Sequence, residues 1–323
     1  ICNQCHLHGD FRAVRYGRHP RDFRPGMALE DIFCILVKEK TGSGNSKAVS
    51  QVMQMRDSKC FKSNPEKLGC TSCHDPHSWP EPNQREEYYR SRCNECHAEH
   101  GCSLAVDLRA AKGDSCMACH MPRSAPKDIV HATQTDHRVL KNPSLGEQPK
   151  TENVATQALE VYDDGEKRIP YWEVQRTKGL MLFAENVSSD SPDILTILMP
   201  LAAVAPDDVP LLHAIGTCHL NRQNNAEAIK WLEKAIAVEP KNEYVLTSLA
   251  LAYAGARDYA SAKRHIATAV EINPFAAANF AIQAHILAAA GEHELAFRAA
   301  EKVAELDPTQ AHLRDQLLRT QRK

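Results

Sequence analysis

Cysteine and histidine recur together four times in the first 120 residues: Cys2-Asn3-Gln4-Cys5-His6, Cys70-Thr71-Ser72-Cys73-His74, Cys93-Asn94-Glu95-Cys96-His97 and Cys116-Met117-Ala118-Cys119-His120. Cys-x-x-Cys-His is the attachment signal of c-type haem. The two thiols form thioethers with the porphyrin vinyl groups, and the adjacent imidazole reaches the iron from one side. Two intervening residues let both sulfurs lie along one porphyrin edge within a single tight turn. Structural zinc also uses paired Cys-x-x-Cys knuckles, but it does not require His after every second Cys. Iron–sulfur clusters have no use for that His either. The motifs therefore predict four covalently attached haems c, with His6, His74, His97 and His120 as the proximal iron ligands.

A low-spin electron carrier needs a second axial ligand on each iron. The same half of the chain offers His8, His19, His77, His100, His131 and His137, together with Met27, Met53, Met55, Met117 and Met121. These exceed the four positions to be filled. His77 lies three residues after His74, too near to swing over the far face of the same haem, and suits a neighbouring one. His131 and His137 follow the last motif after a Pro-containing loop and can each reach back.

The elements that must position these groups fall into two kinds of text. Residues 1–140 carry little apolar periodicity and are rich in Pro, Gly, Arg and His, as in Asp75-Pro76-His77-Ser78-Trp79-Pro80. Such a segment builds a core only with porphyrins as apolar filling. Short helices are expected over 28–38, 84–92 and 103–111. Residues 141–172 read as a connector. From about Trp172 the pattern turns helical, and Pro206, Pro240, Pro274 and Pro308 recur every 34 residues, the period of the tetratricopeptide repeat. Repeats are expected at about 173–206, 207–240, 241–274 and 275–308, followed by a capping helix over 309–323 with Leu313, Leu317 and Leu318 inward.

Leu212, Ile215, Gly216, His219, Ala228, Leu232 and Ala235 supply the packing positions of one repeat, and Leu246, Leu249, Ala250, Tyr253, Ala262, Ile266 and Ala269 those of the next. Phe280, Ala284, Leu287, Ala296 and Ala304 follow in the third. The first repeat is atypical, because Pro200 interrupts its second helix. His213, His219, His265, His285, His293 and His312 are expected to serve packing or surface roles in these repeats. The expected fold class is thus mainly α: a loop-rich tetrahaem cytochrome c module (1–140), then an α-solenoid of tetratricopeptide helix pairs (173–323).

The whole chain carries 39 Lys+Arg against 41 Asp+Glu. Residues 1–150 hold 22 and 18 of these, a net of +4, and the remainder is −6. No domain is basic enough to suggest nucleic-acid binding. Arg12, Arg15, Arg18, Arg21 and Arg24 are placed to pair with haem propionates. Haem attachment of this kind is an export-side process, so a periplasmic or extracellular location follows. A haem Cys at position 2 points to processing or a missing leading segment. No apolar run of 18 residues is present to cross a membrane. Among the four Cys outside the motifs, Cys60 and Cys102 flank motif segments and are the preferred disulfide of three pairings, while Cys218 reads as a buried thiol.

Lys67 to His77, Gly113 to Arg123, Thr135-Asp136-His137-Arg138, Ile1 to Leu7 and Asp22-Phe23-Arg24-Pro25-Gly26 resemble the bacterial multihaem c-type cytochromes that carry C-terminal tetratricopeptide repeats. The resemblance covers nearly the whole chain. It implies His77, His131 and His137 as distal ligands. For the fourth position Met55 is favoured, with Met53 and the other spare histidines behind it.

The expected function is exported electron transfer through closely packed haems, with the repeats docking redox donors or acceptors or another copy of the chain. A heterologous contact that does not close would make an extracellular filament. The alternative is a multihaem oxidoreductase acting on a nitrogen or sulfur oxyanion, which needs one open iron. All four motifs end in His rather than the Lys seen at such catalytic haems, which counts against it.

Overall fold

The computed structural model describes residues 2–7, 9–38, 50–98, 101–124, 133–141, 159–162, 167–185, 192–310 and 312. The chain forms two compact units. The first comprises Ile1–Arg12 and Arg21–Gly165, and the second comprises Ala13–Pro20 and Glu166–Lys323.

The first unit begins with α1 (Cys2–His6), followed by β1 (Phe11–Val14), which runs across the division into the second. A 3-10 turn at Leu29–Asp31 leads into β2 (Phe33–Lys38). The helix expected over 28–38 is therefore mostly strand. Phe33-Cys34-Ile35-Leu36-Val37 is a continuous apolar run whose period does not separate helix from buried strand. Pairing decides: β2 runs antiparallel to β5 (Leu159–Val161), with Leu36 opposite Val161, in the order β1–β2–β5. Ile32, Phe33, Cys34, Ile35 and Leu36 are buried here with Leu7 and Val52.

Then come α2 (Gln51–Asp57), α3 (Lys59–Ser63), α4 (Cys70–Cys73), α5 (Arg85–His97), α6 (Val106–Ala110) and α7 (Cys116–His120). A short hairpin of β3 (Arg123–Ser124) and β4 (Gln134–Thr135) follows. The helix expected over 84–92 extends to His97, and that expected over 103–111 shortens to α6.

In the second unit α8 (Tyr171–Glu185) precedes α9 (Pro192–Leu198), which breaks into a 3-10 turn at Met199–Ala203 containing Pro200. Three regular antiparallel pairs follow: α10 (Val209–Asn221) with α11 (Asn225–Val238), α12 (Glu243–Gly255) with α13 (Tyr259–Ile272), and α14 (Ala277–Ala289) with α15 (His293–Leu306). Asp208, Asn242 and Asp258 cap α10, α12 and α13 by accepting from the backbone N–H three residues on. Gly216 permits the close crossing of α10 and α11, since a Cβ there would lie 2.6 Å from Leu232 Cγ. Leu246, Ala250, Ala262, Ile266 and Ala269 form one core with Ile286 of the next pair. In the last pair Ala300 and Val303 are buried, whereas the expected Ala304 is only half-buried. The capping helix, with Leu313, Leu317 and Leu318, lies outside the described residues.

Polar bonds add register between the pairs. Asn279, buried on α14, donates to Glu243 Oε1 at 2.7 Å and accepts from Thr247 Oγ1 at 3.2 Å. His213 on α10 puts Nε2 2.9 Å from Ser248 Oγ on α12. Burial pushes the His213 imidazole down from 6.5 to about 4, against an opposing hydrogen bond to the Tyr244 backbone. The unfolded chain takes up this proton near pH 6.5, and the folded repeat refuses it until about 4. The contribution of the neutral ring is therefore complete above pH 6.5 and is lost as pH falls through that window, by about 3 kcal/mol. Urea midpoints of the native protein and of His213→Gln, compared at pH 7 and pH 4.5, check this: the variant loses less on acidification.

The segment Ala13–Pro20 is fastened within the second unit. Arg176 donates to the Val14 carbonyl at 2.9 Å, and Arg15 pairs with Glu173 at 2.8 Å. The Tyr16 N–H donates to Glu173 Oε1 at 2.8 Å, the Tyr16 hydroxyl bonds Asp207, and its ring meets Trp172 edge-on. Arg15 thus gives its Nε–H to Glu173. Among the described residues, no helix is long and apolar enough to cross a membrane.

Candidate haem-attachment site

Each motif sits on a helical turn. The first forms α1, the second forms α4 with His74 just beyond it, the third ends α5, and the fourth forms α7. Positions three apart on a helix share a face, so the two Cys of the second, third and fourth motifs project together. Local capping sets these turns: Ser72 Oγ accepts from the Gly69 N–H, and Ser115 Oγ accepts from the Ala118 N–H, each at 3.1 Å.

The thiols of successive motifs also approach one another. Burial pushes the Cys93 thiol up to about 12, and the nearby Cys116 thiol reinforces it. Burial likewise raises Cys70, helped by Cys2, and raises Cys73, helped by Cys60. Cys60 thus faces the motif sulfurs, whereas Cys102 is an exposed thiol whose sulfur accepts from the Leu104 N–H. Both are free thiols, so the Cys60–Cys102 disulfide is not formed. Cys218 is buried in α10.

The imidazoles carry the most specific geometry. His120 Nδ1 lies 2.6 Å from the Leu140 carbonyl oxygen, which only accepts, so the proton is on Nδ1 and the Nε2 lone pair is available. His74 Nδ1 lies 3.3 Å from the Tyr89 hydroxyl, and His6 Nδ1 lies 3.4 Å from Gln51 Oε1. Holding one ring nitrogen through its N–H fixes the tautomer and rotation of a metal-binding imidazole. His97, on the last turn of α5, is exposed.

Of the expected distal ligands, His137 is brought to a motif histidine. Its ring centroid is 6.3 Å from that of His74, with 30° between the planes. Its Nδ1–H donates to the Thr135 carbonyl at 2.9 Å, and its backbone N–H donates to Gln54 Oε1 at 2.8 Å. Two imidazoles each about 2 Å from a shared metal by Nε2 have centroids about 6 Å apart. His77 instead lies on an exposed turn, where its N–H donates to Asp75 Oδ1. His131, His8 and His100 lie outside the described residues. Met55 is half-buried one turn beyond Gln51 on α2, with half-buried Met53 beside it, and His19 is exposed.

The donor set and its surroundings fit haem c. No residue of α3, α4, α5, α6 or α7 is fully buried, the motif thiols being at most half-buried, although α5 alone runs 13 residues. Trp79 is 77% exposed, and Leu104, Val106 and Leu108 are exposed as well. A chain segment that carries thiol pairs, oriented imidazoles and outward apolar side chains offers the surface that a covalently held porphyrin buries. Among the described residues, no three His, Cys, Asp or Glu side chains converge as they would around a bare metal ion.

Sequence reasoning did not find Tyr89, Gln51 or Leu140 as partners of the motif histidines. Tyr89 carried a faint signal, being four residues before Cys93 and hence on its face of α5. The Leu140 carbonyl carried none, since every residue has one.

Comparison with known proteins bears on the second unit. A family model described as Tetratricopeptide repeat matches residues 209–242, which span the α10–α11 pair. A BBSome complex member BBS4 homolog from Drosophila melanogaster is 28% identical over 131 residues, covering 40% of this chain and 27% of that protein. The chain thus spans about a quarter of that relative's length. Among solved structures, MamA 41-end from Desulfovibrio magneticus RS-1 is 20% identical with a TM-score of 0.40, covering 46% of this chain and 80% of that one. A thermophilic TPR protein from Thermus thermophilus is 15% identical with a TM-score of 0.40, covering 48% and 84%. Residues 209–242 are a tetratricopeptide repeat by sequence, and α10–α15 repeat its helix-pair architecture.

Proposed function

We propose that the first unit carries four haems c and that the protein is an exported electron-transfer protein, its repeats docking a protein partner or a second copy. The observation that carries this reading is the treatment of the motif histidines. Three of the four have Nδ1 engaged by a neighbouring side chain or carbonyl. Each bound haem supplies a one-electron ferric–ferrous couple.

The chain's own residues do the rest. The eight motif thiols would fix the porphyrins, and α4, α5 and α7 hold successive attachment points close together. His6, His74, His97 and His120 would supply one nitrogen to each iron. His137, whose ring is brought to His74, would be a further ligand, as would His77, His131 and Met55. Such a site needs no acid–base group, because its levers are ligand identity, hydrogen bonding to the ligands and burial.

Protein matured in a host competent for haem attachment tests the reading. Four covalent haems per chain, a low-spin ferric spectrum and no carbon monoxide adduct in the reduced state are expected. High-spin iron with a carbon monoxide adduct would favour the oxyanion-reductase alternative. A chain that carries no haem would overturn both.

A further inference from the structure

The acceptors facing the motif histidines are not alike. His120 gives its Nδ1–H to a backbone carbonyl at 2.6 Å, whereas His74 faces a phenol at 3.3 Å. We propose that Tyr89 is a positioning residue that sets the potential of the haem attached at Cys70 and Cys73 by accepting the His74 Nδ1–H. This rests on the functional reading above.

Tyr89 stands on α5, the helix that ends in the third motif, and reaches the histidine of the second. Its ring packs edge-on against His74 at 5.7 Å and against Tyr88 at 5.1 Å, so the hydroxyl is aimed by packing on both sides. Because His74 binds through Nε2, its proton sits on Nδ1 and the phenol oxygen is the acceptor. Hydrogen bonding to Nδ1–H makes the ring a more basic ligand, and a more basic ligand favours the ferric over the ferrous state. A phenol oxygen at 3.3 Å withdraws the proton less than a carbonyl at 2.6 Å. The second haem therefore gains less of this ferric stabilisation than the fourth. Loss of the Tyr89 acceptor raises the potential of the second haem further.

Spectroelectrochemical titration of the holoprotein and its Tyr89→Phe variant tests this. The variant keeps the ring packing and removes the oxygen. With four haems and a low-spin spectrum retained, the titration curve is expected to move to higher potential, most in the step to which the haem at Cys70 and Cys73 contributes most. Tyr88→Phe, whose hydroxyl faces Arg92, is expected to leave the curve in place. Four haems with unmoved steps in Tyr89→Phe overturn the role of Tyr89 and leave the functional reading standing. A native protein without covalent haem overturns both. Should Tyr89→Phe mature with fewer haems, nuclear magnetic resonance of the reduced native protein decides. A slowly exchanging His74 Nδ1 proton with contacts to the Tyr89 ring supports the assignment, and its absence overturns it.

Discussion

Arg176→Met is expected to destabilise the repeat unit by about 3–5 kcal/mol, read as a lower urea midpoint of the helical circular dichroism signal. The side chain of Arg176 is 4% exposed and that of its partner Asp208 is 1% exposed. Arg176 Nη2 donates to Asp208 Oδ1 at 3.0 Å, its Nε donates to the other oxygen, and its Nη1 holds the Val14 carbonyl. Removing the guanidinium strands a carboxylate in a buried site. It also frees the segment Ala13–Pro20 at Val14. Asp208 keeps a second duty as the N-cap of α10, through the Leu211 N–H at 3.2 Å, so it cannot simply turn outward. The double variant Arg176→Met/Asp208→Asn should recover much of the loss, because the amide still accepts at the cap and carries no charge. Arg298→Met, whose pair with Glu294 is exposed on both sides, should leave the midpoint nearly unchanged. A midpoint for Arg176→Met equal to that of Arg298→Met would sink the argument.

This clamp was not legible in the sequence, and the reason is physical. Val14, Arg15 and Tyr16 lie among basic loop text beside the first motif, and their partners Arg176, Glu173 and Asp207 are more than 150 residues away. No local period announces such a bond. The repeats were legible because each is its own nearest neighbour. Gly216, Ala228 and Leu232 recur in role as Ala250, Ala262 and Ile266, and the same crossing buries both sets. β2 was misread because Phe33–Val37 has no polar alternation, and only its pairing with β5 identifies it as a strand. The candidate site divides the same way. The motif thiols and histidines are contiguous in the chain and are visible in it directly. The groups that aim those histidines arrive from α2, α5 and the Leu140 backbone only after folding.

The largest expected effect concerns the full chain made without the proposed haem attachment, for example with the eight motif cysteines changed to serine. Amides of α3 to α7 should then exchange within about tenfold of unstructured-peptide rates, while those of α10 to α13 remain at least about a thousandfold slower. Helices shorter than about 12–15 residues are marginal in water, because the first turn fixes many dihedrals for one hydrogen bond. Four of these five helices have 4 or 5 residues, and α5 has 13 with no side chain fully buried. Their caps and half-buried side chains are too few to repay the backbone entropy, about 1–2 kcal/mol for each ordered residue. By contrast α10 to α13 enclose Leu211, Leu212, Ile215, Leu232, Leu249 and Ile266 with almost no exposure. Their stability draws on protein contacts alone and should not depend on the cofactor. On the proposed function, covalent porphyrins would reverse the balance in the first unit. Each would tie a helical turn to an apolar plate through the motif side chains, and Trp79, Leu104, Val106 and Leu108 are exposed apolar side chains in this part of the unit. Changing only Cys116 and Cys119 should remove one haem and release α7, leaving exchange in the repeats unaltered. Slow exchange across Arg85–His97 in the haem-free chain would show that the polypeptide holds this unit by itself, and the haems would then be passengers rather than its core.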